Sequence, residues 1–293
     1  MLALFFLPAV VALGFLITDS DGDDDAADVI EETPETSPGS DLDLLQEDQT
    51  NDGVFEGTEN AEMMVGADAG SEISALGGDD VVEANGGDDT IDAGEGNDTV
   101  DAGEGNDSVA GGTGDDVVSL GAGDDTYGNF ARTPAQQETM AGDDVVNGGA
   151  GQDKIVDHFG ANYLRGGTGH DFIDARDGSQ SAGEDTVVGG WGNDVMLIDD
   201  GDIATGGQGE DYFDLWIDEN DVGRAVTITD FDPEEDVLSI FIGRSAEQDV
   251  PEITLDYDDT TNVATVLFDD VVVAKVLDID RTAFPNIDVA LVG

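Results

Sequence analysis

Apolar residues follow three rhythms along this chain, and each predicts a different element. Residues 2–17, LALFFLPAVVALGFLI, are apolar throughout, with Pro8 and Gly14 as the only breaks. Wound as a helix they reach about 24 Å, slightly short of a hydrocarbon core of about 30 Å. From residue 57 to 214 the rhythm is nine. An uncharged, mostly apolar residue returns at Val82, Ile91, Val100, Val109, Val118 and Tyr127, and again at Val146, Ile155, Leu164, Ile173, Val187, Met196 and Phe213. From residue 225 the period falls towards two, in AVTITDF (225–231), DVLSIFI (236–242), EITLDYD (252–258), VATVLFD (263–269) and VVVAKVL (271–277). These read as strands, and the polar cluster at 258–262 reads as a hairpin turn between two of them.

The nine-residue rhythm carries more than one apolar position. Units such as AGEGNDTVD (93–101), GGTGDDVVS (111–119), GGTGHDFID (166–174) and GGWGNDVML (189–197) place glycines at positions two and four and an Asp at position six. That Asp recurs without a slip at Asp80, Asp89, Asp98, Asp107, Asp116 and Asp125. It resumes at Asp144, Asp153, Asp171, Asp185, Asp194 and Asp211, with Asn162 standing in the same register. Glycines at two and four permit positive φ and a sharp turn. The last three residues then make a very short strand whose middle side chain, at position eight, points inward. One unit buries almost nothing, so stability requires stacking of at least three.

Composition divides the chain further. Lys+Arg number 8 against 70 Asp+Glu, a formal net charge of -62, and no basic residue precedes Arg132. Such a chain repels phosphates, which excludes nucleic acid and acidic lipid headgroups as direct partners. With Cys 0, disulfides, thiolate metal sites and Cys catalysis are excluded as well. Residues 19–53 hold fourteen acidic residues and no basic ones, a composition that reads as a disordered, self-repelling linker. An EF-hand loop starting at Asp19 fails, because its sixth position is Asp24 and its twelfth is Ile30. The organisation read from the sequence is therefore 1–18 hydrophobic segment, 19–53 acidic linker, 54–214 repeat array and 215–293 β-rich cap domain. The first segment is either a retained membrane anchor, a cleaved export signal or a buried helix.

The repeat consensus GGxGxDxUx resembles that of the RTX, or hemolysin-type, calcium-binding nonapeptide repeat family. The resemblance implies an all-β fold, a right-handed parallel β-roll in which two nonapeptides make one turn. It also implies several Ca²⁺ ions in the stacked turns, held by position-six carboxylates and glycine-loop carbonyls. Carried onto this chain, the metal ligands are Asp80, Asp89, Asp98, Asp107, Asp116, Asp125, Asp144, Asp153, Asp171, Asp185, Asp194 and Asp211. Asp80, Asp98 and Asp116 would form one ladder, and Asp89, Asp107 and Asp125 the opposite one. Oxygen-only ligands on flexible loops suit Ca²⁺ better than Mg²⁺ or Zn²⁺. Departures stand at Ser71, Glu62 and Asn162, and extra residues are expected as surface loops at 129–139 and between Asp171 and Asp185. The segment ITDFDPEEDVLSI (228–240) resembles the element that closes such rolls, with Asp230, Phe231, Asp236 and Leu238 at matching places. The final DVALVG (288–293) resembles a type I export tail and reads equally as a last strand.

No catalytic constellation is legible. His158 and His170 are the only histidines, neither lies in HExxH, and no GxSxG occurs. The expectation is thus a non-enzymatic calcium-binding protein that folds on Ca²⁺ binding, at the cell surface or outside the cell, with residues 1–18 as a candidate membrane tether. A cryptic RTX-type enzyme or toxin, or a calcium-dependent adhesin module, stands as the alternative. The identity of any protein or polysaccharide partner is not encoded in a way the sequence reveals.

Overall fold

The computed structural model describes residues 43–44, 53–128, 142–177, 183–218, 224–243, 253–268, 270–279 and 290–292. The expected hydrophobic segment, most of the acidic linker and the loop at 129–139 lie outside these residues. Among the described residues every regular element is a strand. In chain order they are β1 (Asp43–Leu44), β2 (Val54–Glu56), β3 (Glu62–Val65), β4 (Glu72–Ser74), β5 (Val81–Glu83), β6 (Thr90–Glu95), β7 (Thr99–Glu104) and β8 (Ser108–Thr113). Next come β9 (Val117–Ala122), β10 (Thr126–Tyr127), β11 (Val145–Ala150), β12 (Lys154–Val156), β13 (Tyr163–Thr168), β14 (Phe172–Asp174), β15 (Thr186–Trp191) and β16 (Val195–Ile198). The last are β17 (Ile203–Gln208), β18 (Tyr212–Asp218), β19 (Val226–Ile228), β20 (Val237–Gly243), β21 (Ile253–Asp258), β22 (Val263–Phe268), β23 (Val271–Val276) and β24 (Ala290–Val292).

Consecutive strands from β1 to β20 enter opposite sheets. The odd strands β1 to β19 follow one another in a thirteen-stranded sheet that ends in β23, β22 and β21. The even strands β2 to β20 make an eleven-stranded sheet that ends in β24. Each strand pairs in parallel with the one eighteen residues on where the repeats are regular, as in Val82↔Val100 and Val100↔Val118. This is a parallel β-roll, two nonapeptides per turn.

The strands are longer than three residues. Where the repeats are regular they run from position seven to position three of the following unit, as in Thr99–Glu104, so two side chains per strand face inward. Position eight supplies Val82, Val100, Val118, Ile91 and Ile155 at 2% exposure or less, each burial stabilising by roughly 1.5–3 kcal/mol. Position one supplies a second interior column, seen in Ala75, Ala84, Ala93, Ala102 and Leu120, all fully buried. The three-residue expectation missed this column because Ala and Gly carry little hydrophobic signal.

Two boundaries shift from the sequence reading. Asp125 and Asp144 are nineteen residues apart, one more than two units, yet Val117 pairs with Val145 and Thr126 with Lys154. The array therefore continues after a ten-residue insertion, and Asp144 follows Asp116 rather than Asp125. At the other end, the roll does not stop at residue 214. Strands β19 and β20 join the two sheets in parallel, through Ile203↔Thr227 and Tyr212↔Val237, and β24 extends the second sheet through Ser239↔Ala290. Only β21, β22 and β23 turn antiparallel, around the expected hairpin between Asp258 and Val263. Their edge closes the first sheet, so part of what looked like a separate cap is the last turns of the roll.

Candidate metal ladders

The turn geometry follows from the glycines. Gly94 and Gly96 have φ of 110° and 134°, and the pattern repeats at Gly112 and Gly114, Gly149 and Gly151, and Gly207 and Gly209. Successive turns lie so close that a methyl on Gly96 would stand 1.7 Å from the carbonyl oxygen of Gly78. Only a residue without Cβ allows this approach together with that φ.

The stacked turns bring the position-six residues into two ladders. In the first, the amide of Asp80 donates to Oδ1 of Asp98 at 2.8 Å, Asp98 to Asp116 at 2.9 Å, and Asp116 to Asp144 at 2.9 Å. The line continues from Asp144 to Asn162, Asn162 to Asp185 and Asp185 to Asp202. In the second, Asp89 donates to Asp107, Asp107 to Asp125, Asp125 to Asp153 and Asp153 to Asp171. It runs on through Asp194 and Asp211 to Asp236. All twelve Asp residues picked from the sequence sit in these ladders, each at most 6% exposed. Glu62 and Ser71 begin them, their amides donating to Asp80 and Asp89.

Two members went unrecognised in the sequence. Asp202 lies seventeen residues after Asp185 and lacks the glycines before it, although Asp202-Ile-Ala-Thr-Gly-Gly207 parallels Asp185-Thr-Val-Val-Gly-Gly190. Asp236 was placed in the closing element but not in the ladder. Its Oδ1 accepts from Asp211 and its Oδ2 from Asp232. Asp230 caps the same end, taking the amides of Gly206 and Gly207, while Phe231 packs on Phe213 with ring centres 5.9 Å apart.

The chemistry lies in the oxygen that the ladder does not use. Oδ2 is buried and without a hydrogen-bond partner in Asp80, Asp98, Asp116 and Asp185 of one ladder, and in Asp89, Asp107, Asp125, Asp153, Asp171 and Asp194 of the other. Burial pushes the carboxyls of Asp80, Asp89, Asp125, Asp153, Asp171 and Asp211 up to about 6, Asp185 to about 7, and Asp116 to about 8. Rows of buried carboxylate oxygens with no donor are the environment in which a cation is required. The position-one glycines leave room beside them: a methyl on Gly166 or Gly206 would lie 2.4 Å from Oδ2 of Asp171 or Asp211. Among the described residues no three of His, Cys, Asp and Glu converge on one point. An ion here must therefore complete its shell with loop carbonyls, which suits the hard, high-coordination Ca²⁺. The residues fit calcium.

Two further ladders run along position five, one at each edge. In one the amide of Asp115 donates to the Asn97 side chain and Asp143 to Asp115, and in the other Asn106 donates to Asp88. Their direction is opposite to that of position six, since here each turn donates to the turn before it. His170 lies at the edge of the second column, Nδ1 accepting from Asn193 at 2.7 Å. The other histidine, His158, lies 3.4 Å from Asp174, which Arg176 holds through two bonds of 2.7 Å while stacking on Trp216. Burial acts to raise the Asp174 carboxyl, but these two partners hold it below the ordinary carboxylate range.

The family described as RTX calcium-binding nonapeptide repeat (4 copies) matches residues 66–100, 74–109, 94–127, 138–156, 158–179 and 181–202. No curated protein matches the chain.

Proposed function

The repeat array of this chain belongs to the RTX calcium-binding nonapeptide repeat family, and from that premise we propose that the protein is an exported or surface-tethered roll that folds as calcium fills its two ladders. The observation that carries the reading is the double row of buried, unpartnered Asp Oδ2 atoms between stacked turns. Without cations those carboxylates repel one another in a chain of net charge -62. With them, each Ca²⁺ cancels two charges and joins neighbouring turns, so binding free energy becomes folding free energy.

Location follows from affinity. Flexible, carbonyl-rich sites of this kind belong with extracellular modules, whose dissociation constants are about 10⁻⁴–10⁻³ M. Such sites stay empty at cytosolic calcium, which favours folding after export. Residues 1–18 and the acidic linker would then hold the roll away from a membrane. Its role is structural or interactive rather than catalytic. Supporting this, the sequence has neither HExxH nor GxSxG, and both histidines serve local contacts.

The test is isothermal calorimetry with far-UV circular dichroism on the full chain. Several ions should bind at millimolar Ca²⁺ with a gain of β signal, and Mg²⁺ should give little. No uptake at millimolar Ca²⁺ would refute the calcium reading. Recovery of the full-length protein from the cytoplasmic fraction would refute the export reading alone.

A further inference from the structure

Between Asp80 and Asp185, one carboxylate rung of the first ladder departs from the others. Asp144 has no unpartnered oxygen: its Oδ1 takes the Asp116 amide and its Oδ2 accepts the hydroxyl of Tyr127 at 2.9 Å. Tyr127 occupies position eight of β10 in the eleven-stranded sheet and is 4% exposed, so its ring crosses the core to reach the ladder of the other sheet. The next rung is Asn162, whose Oδ1 accepts the Asp144 amide and whose amide group donates to the carbonyl of Phe159. Neither of its side-chain groups needs a cation.

Asp157 completes the cluster. It is half-buried at position one of the unit that carries Asn162, where Ala75, Ala84, Ala93, Ala102 and Leu120 stand in other units. Its carboxyl lies beside that of Asp144, and its Oδ1 accepts the amide of Phe159 at 3.2 Å. At this level of the roll, hydrogen bonds supply the link that the orphaned oxygens lack elsewhere.

We propose that Tyr127, Asp144, Asp157 and Asn162 form a metal-free brace that divides the first ladder into two calcium-binding blocks, one ending at Asp116 and one beginning at Asp185. The second ladder has no such interruption, since Asp89, Asp107, Asp125, Asp153, Asp171 and Asp194 all keep an unpartnered Oδ2. The brace also ties the two sheets together before any ion arrives. It sits beside the ten-residue insertion, so it marks a place where a metal-independent link is most useful for folding.

The proposal rests on the calcium-binding reading of the ladders, and two measurements separate its failure from the failure of that reading. The first is calorimetric stoichiometry on the full chain. The double variant Asp157→Ala/Asn162→Asp restores an ordinary unit and should bind at least one ion more than wild type, whereas Asp157→Ala alone should bind the wild-type number. A smaller number for Asp157→Ala would make its carboxyl a metal ligand and overturn the brace, as would an unchanged number for the double variant. The second is hydrogen exchange of metal-stripped protein, which does not require calcium binding at all. The amides of Asp144 and Asn162 should exchange about tenfold more slowly than those of Asp89 and Asp107, and Tyr127→Phe should abolish the difference. Equal exchange in wild type would overturn the proposal even if calcium binds as expected. If wild type binds no calcium, the ladder reading fails, and slow exchange at these two amides would still establish the link between the sheets.

Discussion

The amide of Asp89 donates to Oδ1 of Asp107 at 2.8 Å, while Oδ2 of the same buried carboxylate has no partner. One oxygen joins two turns and the other is left for a cation. The two roles can be separated by substitution.

Asp107→Asn keeps an acceptor for the Asp89 amide and removes one charge, whereas Asp107→Ala removes both. In metal-stripped protein the Asn variant should show more β signal than the Ala variant, since losing a bond to a charged acceptor costs roughly 1.5–3 kcal/mol. Both should need more calcium than wild type to fold. Circular dichroism against Ca²⁺ reads both effects. Equal behaviour of the two variants in chelator would mean that the amide bond contributes nothing.

Acid should favour the metal-free roll. The folded carboxyls lie at about 6 for Asp89, Asp125 and Asp153, about 7 for Asp185 and about 8 for Asp116, all above the ordinary 3.8. Between these values the folded state binds more protons than the unfolded one, so stability falls as pH rises. The contribution is complete below about 4 and is lost as pH climbs through roughly 6 to 8. Metal-stripped protein should therefore be more ordered at pH 5 than at pH 8. With calcium present the sign reverses, because protons compete for the same oxygens, and the calcium midpoint should rise as pH falls. A midpoint independent of pH would disconnect these carboxyls from the metal.

Leu76 stands at position two with φ of 74°, where most turns have glycine. At 40% exposure it loses little on truncation. The left-handed region costs a residue with Cβ about 1–2 kcal/mol, so Leu76→Gly should stabilise the calcium-loaded roll by roughly 0.5–1 kcal/mol after the entropy of glycine is set against it. Urea unfolding in saturating Ca²⁺ measures the difference, and a loss of stability would show that the side chain packs more than its exposure suggests.

The opposite change at a regular turn should be severe. A methyl on Gly192 would stand 1.3 Å from the carbonyl oxygen of Gly169, at a φ of 131°. Backbone must move, and strain plus overpacking make roughly 2–5 kcal/mol for Gly192→Ala. The same urea experiment would expose a smaller cost, which would mean that neighbouring turns separate easily.

Repetition made most of the site readable. Asp80 to Asp125 recur at nine-residue spacing, and an uncharged residue two places after each Asp fixes which side faces the core. That phase was enough to place all twelve carboxylates. Asp202 and Asp236 escaped because one lies a residue short of the regular spacing and the other lies beyond the glycines. The interior column at Ala75, Ala84 and Ala93 escaped because small residues look alike whether buried or exposed.

By itself, then, the sequence determined which Asp residues share position six and which side chains face the core, because a strict period repeats the same turn and strand, while the roll with two nonapeptides per turn came from the family resemblance. Tertiary structure decided what no local pattern contains. It joined Asp116 to Asp144 across a ten-residue insertion, carried the roll past residue 214 into β19 and β20, and set Tyr127 and Asp157 against Asp144. Each of these depends on which residues become neighbours when turns stack, and stacking places side by side groups that are eighteen, twenty-three or twenty-eight residues apart.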